Sequence, residues 1–231
     1  MIYRPVLPIW RSLPIRPIVL LLHAPSQAAV VGELVRVWQP SIPAAIIFPV
    51  SVVEGDQADF ANLPAALLDG SSAYKRPLVL AGVCGAEDAA LRLGFDRRLP
   101  QCAGVLAAGR VVPPLGPLAV RPAGRTLRVR LIWEVSEATN WAVALGELLS
   151  WYRAAGLDAQ GGVLEPVGHT QADACGFSPA LVRMGRVYLA ELVAIAMGGQ
   201  PQPLVTQTFH FGQQVDAFGS DAGAPAQFEC L

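Results

Sequence analysis

The apolar residues of this chain occur in short runs that are interrupted by proline, polar residues or charge. The longest runs contain Pro49 and Ser51, within residues 44–53, or Glu191, within residues 187–197. A membrane-spanning helix needs roughly 18 consecutive apolar residues, and none is present, although 53% of the residues are hydrophobic and the mean hydropathy is +0.42. Strands of a parallel sheet that is covered on both faces have this composition. The runs therefore predict buried parallel strands and no transmembrane segment.

Predicted strands alternate with predicted helices along the chain. The strands are expected at residues 18–23, 44–50, 77–82, 102–108, 127–133 and 162–165. The helices are expected at residues 26–38, 58–68, 85–93, 141–155 and 178–197, the last one ending at Gly198-Gly199. Ser26 and Ser178 are predicted N-caps, and Pro179 suits a first helical turn. This alternation is typical of βαβ units and predicts an α/β three-layer sandwich, with helices on both faces of a mostly parallel central sheet.

One domain is expected to occupy residues 1–199 of the 231, a length sufficient for a large core. Residues 110–124 are rich in proline and glycine and predict a long loop. Residues 200–231 carry few charges and predict a C-terminal tail, either disordered or adding an edge strand through the alternating stretch at 204–211. The amino-terminal residues lack the long apolar core of a signal peptide, so a cytoplasmic location is expected.

The charges of the chain are balanced, with 17 basic and 18 acidic residues and a net charge of −1. Proteins that bind nucleic acid or anionic membranes present a basic surface, and this chain has no basic run. Its four cysteines form no C-x-x-C pair and it has only three histidines, which argues against a metal site. We therefore expect no nucleic-acid partner, no metal and no cofactor.

The stretch from Gly82 to Ala86, G-V-C-G-A, follows a predicted strand and precedes a predicted helix. This is the layout of a nucleophile elbow, in which the central residue lies on a tight, strained turn and projects above the sheet. Gly82 and Ala86 are small, as the close approach of strand and helix requires. Cys84 is thus a candidate nucleophile, and the helix N-terminus would lower the pKa of its thiol. The alternative is a structural cysteine buried at a strand end.

Candidate partners for Cys84 follow two later strands. Glu134 and Glu137 come after the fifth predicted strand, and His169 comes after the sixth, just before the last predicted helix. Taken singly, each carboxylate is more simply a solvated loop residue and the histidine a structural one. Their order, nucleophile then acid then histidine, makes them a candidate triad.

On these motifs the chain resembles the α/β-hydrolase superfamily, and within it the small phospholipase/carboxylesterase and dienelactone hydrolase branch. The resemblance covers about residues 16–199. It rests on Leu20-Leu-Leu-His23-Ala24, similar to a strand that ends in His-Gly, on residues 82–86 and 132–137, and on Gly168-His169 before Ser178-Pro179. It implies the fold predicted above, together with hydrolysis of a small carboxylic ester, thioester or lactone through an acyl-enzyme intermediate.

The resemblance also implies a role for each triad residue. Cys84 would be the nucleophile, His169 the general base and Glu137 the acid that orients the imidazole. Glu134 is the alternative acid, but the family acid falls a few residues beyond the strand, which favours Glu137. Cysteine is the rule in dienelactone hydrolases, and the wider superfamily tolerates glutamate as the acid.

The expected oxyanion hole departs from the family pattern. The family has His-Gly-x-Gly where this chain has His23-Ala24-Pro25-Ser26, and the x position normally donates a backbone N–H, which proline lacks. Gly85, directly after the nucleophile, is expected to supply one donor, and Ala24 or Ser26 the second. Loss of one oxyanion donor costs a factor of about 10²–10³ in rate.

Two classes of function therefore remain open. The first is the hydrolase, acting on a small ester-like molecule. The second is a catalytically impaired α/β-hydrolase-fold protein that serves as a binding or assembly component, with residues 200–231 contacting a protein partner or a second copy in a homodimer. A doubly wound nucleotide-binding protein fits the strand pattern alone, but neither G-x-G-x-x-G nor G-x-x-x-x-G-K-[ST] follows any predicted strand.

Overall fold

The computed structural model describes residues 16–52, 76–96, 99, 101–109, 127–135, 138–164 and 177–199. Its strands are β1 (Ile18–His23), β2 (Ile46–Ser51), β3 (Leu78–Val83), β4 (Cys102–Gly109), β5 (Arg128–Glu134) and β6 (Asp158–Leu164). Its α-helices are α1 (Ala28–Trp38), α2 (Glu87–Gly94), α3 (Ala138–Ala154) and α4 (Pro179–Ala196). The helix predicted at 58–68, the loop at 110–124 and the tail at 200–231 lie outside the described residues.

The six strands form one sheet in which every pair is parallel, in the order β2-β1-β3-β4-β5-β6. The predicted α/β class with a parallel central sheet is confirmed. The carboxyl ends of all six strands lie along one edge, which we call the carboxyl edge. The strand order reverses between β1 and β3, because β2 lies on one side of β1 and all later strands lie on the other. None of the described helices combines the length and the apolar character needed to cross a membrane.

A hydrophobic core lies on each face of the sheet. Helices α1 and α4 cover one face, while α2 and α3 cover the other. Every residue of β1 and β3 is buried, as their continuous apolar runs predicted. Between α1 and α4, Trp38 packs against Gly185, where an added Cβ would lie 2.7 Å from the indole ring. The indole N–H of Trp38 also donates to the carbonyl oxygen of Val182 at 3.0 Å, so α1 and α4 are joined directly.

Several element boundaries differ from the sequence predictions, among them the start of α3, at Ala138 rather than at residue 141. Ser26, expected as an N-cap, lies inside a 3-10 turn at Pro25–Gln27, and α1 begins only after Gln27. Strand β6 begins at Asp158 rather than at residue 162. Its first residues have low intrinsic strand propensity, but their parallel pairing with β5 begins at Arg128 and holds them extended.

The ends of α4 match the prediction. The Ser178 hydroxyl accepts a hydrogen bond from the backbone N–H of Leu181 at 3.1 Å, and Pro179 occupies the first helical position. At the other end Gly198 has a φ of +90°, a conformation that glycine adopts without strain. Both signals are local, which explains why the sequence predicted this helix well.

A buried ion pair fixes α4 to the sheet. The side chain of Arg130, in β5, is fully buried and donates to the two carboxylate oxygens of Glu191 at 2.7 and 2.8 Å. It also donates to a carboxylate oxygen of Asp158 at 3.3 Å. Burial acts to lower the pKa of Arg130, but the hydrogen bonds and charge of Glu191 and then Asp158 outweigh it and raise the pKa above its usual value. Arg130 therefore remains charged inside the protein.

Candidate functional site at the carboxyl edge

The turn after β3 has the tight, strained backbone that the sequence predicted. The backbone N–H of Ala86 donates to the carbonyl oxygen of Val83 at 3.2 Å. Between them, Cys84 has a φ of +53° and Gly85 a φ of +86°, the pattern of a type I′ turn. Within the described ranges, Cys84 is the one residue other than glycine with a positive φ. This conformation costs an L-residue about 1–2 kcal/mol, so the fold around the turn must impose it.

The close approach of strand and helix at this turn is also confirmed. A Cβ added at Gly82 would lie 2.7 Å from the Cβ of Ala90 and 2.8 Å from the Cα of Glu87. Ala86, on the other side of the cysteine, is buried. Glycine at position 82 is therefore required for α2 to leave β3 at this angle, with Cys84 on the turn between them.

The turn borders the point at which the strand order reverses. In open parallel sheets, ligands bind in the crevice at such a reversal, outside the carboxyl ends of the strands, because the flanking helices depart to opposite faces. Here α1 follows β1 on one face and α2 follows β3 on the other. The residues that directly follow β1 and β3 at this reversal are Ala24 and Cys84. They are in contact, since the backbone N–H of Ala24 donates to the carbonyl oxygen of Cys84 at 3.3 Å.

Hydrogen bonds to the carbonyl oxygen of Ala24 fix the loop after β1. The carbonyl oxygen of Ala24 accepts hydrogen bonds from Nδ1 of His23 at 2.8 Å and from the backbone N–H of Gln27 at 2.9 Å. His23 itself is 3% exposed. Pro25 starts the 3-10 turn and has no N–H to donate. Of the two residues expected to replace that donor, Ala24 already uses its N–H on Cys84 and Ser26 lies within the turn.

The first turn of α2 carries two acidic residues. Asp88 pairs with Arg92 one helical turn later, at 2.6 Å. Glu87 is 7% exposed, and its carboxylate occupies the space that a side chain at Gly109 would fill, at the end of β4. Negative charge is favourable at a helix N-terminus, so the first turn of α2 suits both carboxylates. Glu87 was not among the site residues predicted from the sequence. The signal for it was Gly109, whose lack of a side chain leaves room for the carboxylate.

Glu134, the alternative acid, is the last residue of β5 and is 7% exposed. Its partner in β6 is Leu164, a core residue of the face that α1 and α4 cover, and Cys84 packs against the same core. One strand, β4, separates β3 from β5, so the two strands are about 10 Å apart. Glu137 and His169 lie outside the described residues, so the expected triad is neither assembled nor excluded by the described geometry.

The fold and the turn together define an α/β protein with an all-parallel six-stranded sheet and a strained cysteine where its strand order reverses. Neither the protein-family models nor the curated proteins compared with the chain match it. The assignment of a function therefore depends on the geometry around Cys84 and on the residues that follow β5 and β6.

Proposed function

We propose that the protein is a hydrolase of the α/β-hydrolase type that cleaves a small carboxylic ester, thioester or lactone through an acyl group on Cys84. The observation that carries the proposal is the left-handed backbone of Cys84 on the turn between β3 and α2. Strained non-glycine residues cluster at active sites, where the surrounding structure holds them. A cysteine that only filled space at a strand end would have no need of this conformation.

The topology of the sheet supports the same proposal. The positions assigned to nucleophile, acid and histidine follow β3, β5 and β6, which lie in that order across the sheet. The loop after β1, which carries Ala24, lies on the other side of β3. In α/β-hydrolases the second oxyanion donor comes from the loop of the neighbouring strand, and the acid and histidine follow later strands in this chain order. The order of the strands in the described part of the chain is compatible with this arrangement.

The connection that contains His169 begins and ends at the carboxyl edge. It joins Leu164, the last residue of β6, to Phe177, just before α4. Phe177 lines one small apolar gap together with Val83 and Ala108, near the ends of β3 and β4. A histidine on this connection has both of its chain anchors at the edge that carries Cys84, which supports its proposed role as general base.

In the proposed reaction, Sγ of Cys84 attacks the substrate carbonyl carbon while His169 takes the thiol proton. The C–O or C–S bond to the leaving group then breaks, and the leaving group receives that proton from His169. Water, deprotonated by His169, attacks the acyl-cysteine and releases the acid and the thiol. Glu137 would orient the imidazole, with Glu134 as the alternative. Glu137→Gln and Glu134→Gln, compared in kcat, identify the acid.

The test uses two cysteine variants and p-nitrophenyl acetate as the substrate. Cys84→Ala is expected to abolish hydrolysis and the acyl adduct seen by intact-mass spectrometry. Cys102→Ala is the matched control, because Cys102 is 1% exposed and lies at the start of β4, away from the turn. Equal hydrolysis by Cys84→Ala and the wild type would show the mechanism to be wrong.

A second candidate function is favoured by the loop after β1. Pro25 lacks a donor and the Ala24 N–H is bound to Cys84, so Gly85 and Ser26 are the remaining donors of those the sequence proposed. A protein with this defect would serve as a binding or assembly component with the fold of a hydrolase. It would show no turnover on a panel of short-chain esters, thioesters and lactones, although iodoacetamide still alkylates Cys84. Turnover that His169→Ala abolishes would exclude this alternative.

A further inference from the structure

The buried histidine at the end of β1 contacts a backbone carbonyl oxygen through its ring. His23 is the last residue of the strand, and its Nδ1 lies 2.8 Å from the carbonyl oxygen of Ala24. A carbonyl oxygen only accepts hydrogen bonds, so Nδ1 must carry the proton and donate it. The backbone of the same residue is also fixed, because its carbonyl oxygen accepts from the N–H of Val52 at 2.8 Å. His23 is therefore held at both its ring and its backbone.

This hydrogen bond holds Ala24, the residue whose N–H contacts the strained cysteine. The Ala24 carbonyl oxygen has two donors, the ring of His23 and the backbone N–H of Gln27. Both donors lie within the protein, so the direction of this carbonyl is fixed from inside. The N–H of the same residue reaches the carbonyl oxygen of Cys84 at 3.3 Å. A chain of contacts thus runs from the imidazole of His23 through Ala24 to the turn.

We propose that His23 is a positioning residue: through Ala24 it holds the loop after β1 against the Cys84 carbonyl and so fixes the direction of the thiol. The proposal rests on the proposed role of Cys84 as the nucleophile. Without the His23 hydrogen bond, the Ala24 carbonyl is held by Gln27 alone, so the loop is less firmly fixed and the contact between the Ala24 N–H and Cys84 weakens. The turn can then relax from its left-handed conformation, which changes the direction of the thiol relative to the start of α2.

Two substitutions separate the hydrogen bond from the bulk of the ring. His23→Asn places an amide nitrogen near the position of Nδ1, whereas His23→Gln places it near Nε2. We expect His23→Gln to lower kcat on p-nitrophenyl acetate by between about 10-fold and 100-fold with little change in KM. We expect His23→Asn to restore most of that loss. The midpoint of the pH profile for Cys84 alkylation by iodoacetamide should rise in His23→Gln and return toward the wild-type value in His23→Asn.

A matched control is Trp38→Phe, which removes a similarly buried side-chain hydrogen bond to a backbone carbonyl, that of Val182, away from the turn. It should lower Tm without moving the alkylation profile. A profile that is the same in His23→Gln and the wild type would overturn the role of His23. Absence of turnover in the wild type would overturn only the hydrolysis, because alkylation reports on Cys84 without it.

A measurement on the wild-type protein tests the same contact without relying on a variant that folds. The side-chain ¹⁵N chemical shifts of His23 distinguish the tautomer protonated at Nδ1 from the one protonated at Nε2. The proposal requires the Nδ1-protonated form in the folded protein. A neutral ring protonated at Nε2 could not donate to Ala24 and would show the proposal to be wrong.

Discussion

The backbone N–H of Ala24 and the carbonyl oxygen of Cys84 form a hydrogen bond of 3.3 Å across the point where the strand order reverses. Sixty positions of sequence (84 − 24) separate the two residues, and the sheet makes them neighbours because β1 and β3 pair directly. The contact joins the proposed nucleophile to the loop expected to stabilise the oxyanion. Because the contact uses the Ala24 N–H, this donor is not available to an oxyanion. Replacing Pro25 by a residue with an N–H is therefore the simplest substitution that adds a donor to this loop.

We predict that Pro25→Ala increases hydrolysis. The substitution adds a backbone N–H at the position where α/β-hydrolases have a donor, and one such donor is worth a factor of about 10²–10³ in rate. An increase in kcat/KM on p-nitrophenyl acetate of at least tenfold would be a conservative expectation on that scale. Pro40→Ala is the control, because Pro40 lies in a second 3-10 turn, Gln39–Ser41, between α1 and β2. No gain for Pro25→Ala would mean that the loop after β1 does not contribute to the oxyanion hole.

Gly82→Ala is predicted to destabilise the fold and to move Cys84. The added methyl group would meet the Cα of Glu87 at 2.8 Å, and backbone cannot give way cheaply. Overpacking of this kind costs about 1–3 kcal/mol, measurable by urea unfolding. Gly32→Ala is the opposite case, since Gly32 is exposed on α1 with nothing within 4 Å of the added Cβ. It should stabilise by about 0.5–1 kcal/mol. Equal effects of the two substitutions would contradict the close approach of β3 and α2.

The parts of the fold that the sequence predicted are those with local signals. β1 was predicted at its observed bounds because a continuous apolar run is bounded by Pro17 and Ala24-Pro25. β6 was predicted to begin at residue 162, because the segment from Asp158 reads as a loop until β5 is beside it. The buried charge of Arg130 was not foreseen, because its partner Glu191 is 61 positions away. Contacts between distant segments depend on the order of strands, which one sequence does not reveal.

The candidate site, like the fold, was predictable only where the signals are local. The turn at Cys84 was predictable, because G-x-C-x-A between a strand and a helix demands small neighbours and a strained centre. The use of the Ala24 N–H by the Cys84 carbonyl, and the role of His23 behind it, depend on how two loops meet. The roles of Glu137 and His169 stay predictions, which the substitutions proposed above test.

Removing one partner of the ion pair between Arg130 and Glu191 is predicted to destabilise the protein more than removing both partners. Arg130→Met leaves a carboxylate that is only 8% exposed without its partner, and breaking a buried pair in this way costs about 3–5 kcal/mol. The double variant Arg130→Met/Glu191→Met removes both charges and should recover most of that loss. Unfolding in urea measures both.

The control for this prediction is an exposed pair. Arg36 and Glu33 lie one turn apart on α1 at 3.0 Å, with side chains 78% and 43% exposed. Arg36→Met should change the free energy of unfolding by less than about 1 kcal/mol. If Arg130→Met were as mild as Arg36→Met, the buried pair would not be what fixes α4 to the sheet.

Tyr152→Phe is predicted to stabilise the protein, and more so at alkaline pH. The ring of Tyr152 is fully buried and stacks on Phe95, and its hydroxyl has no hydrogen-bond partner among the described residues. Removing a buried hydroxyl that lacks a partner relieves a penalty of about 1–3 kcal/mol.

Burial, and then the charge of Asp88, raise the pKa of Tyr152 to about 12, above the value of about 10 in an unfolded chain. Unfolding therefore releases a proton between these two values, and stability falls as the pH rises from about 10 to about 12. The variant should lose less stability than the wild type over that range in urea titrations, and an equal loss would show that the hydroxyl ionises normally in the folded protein.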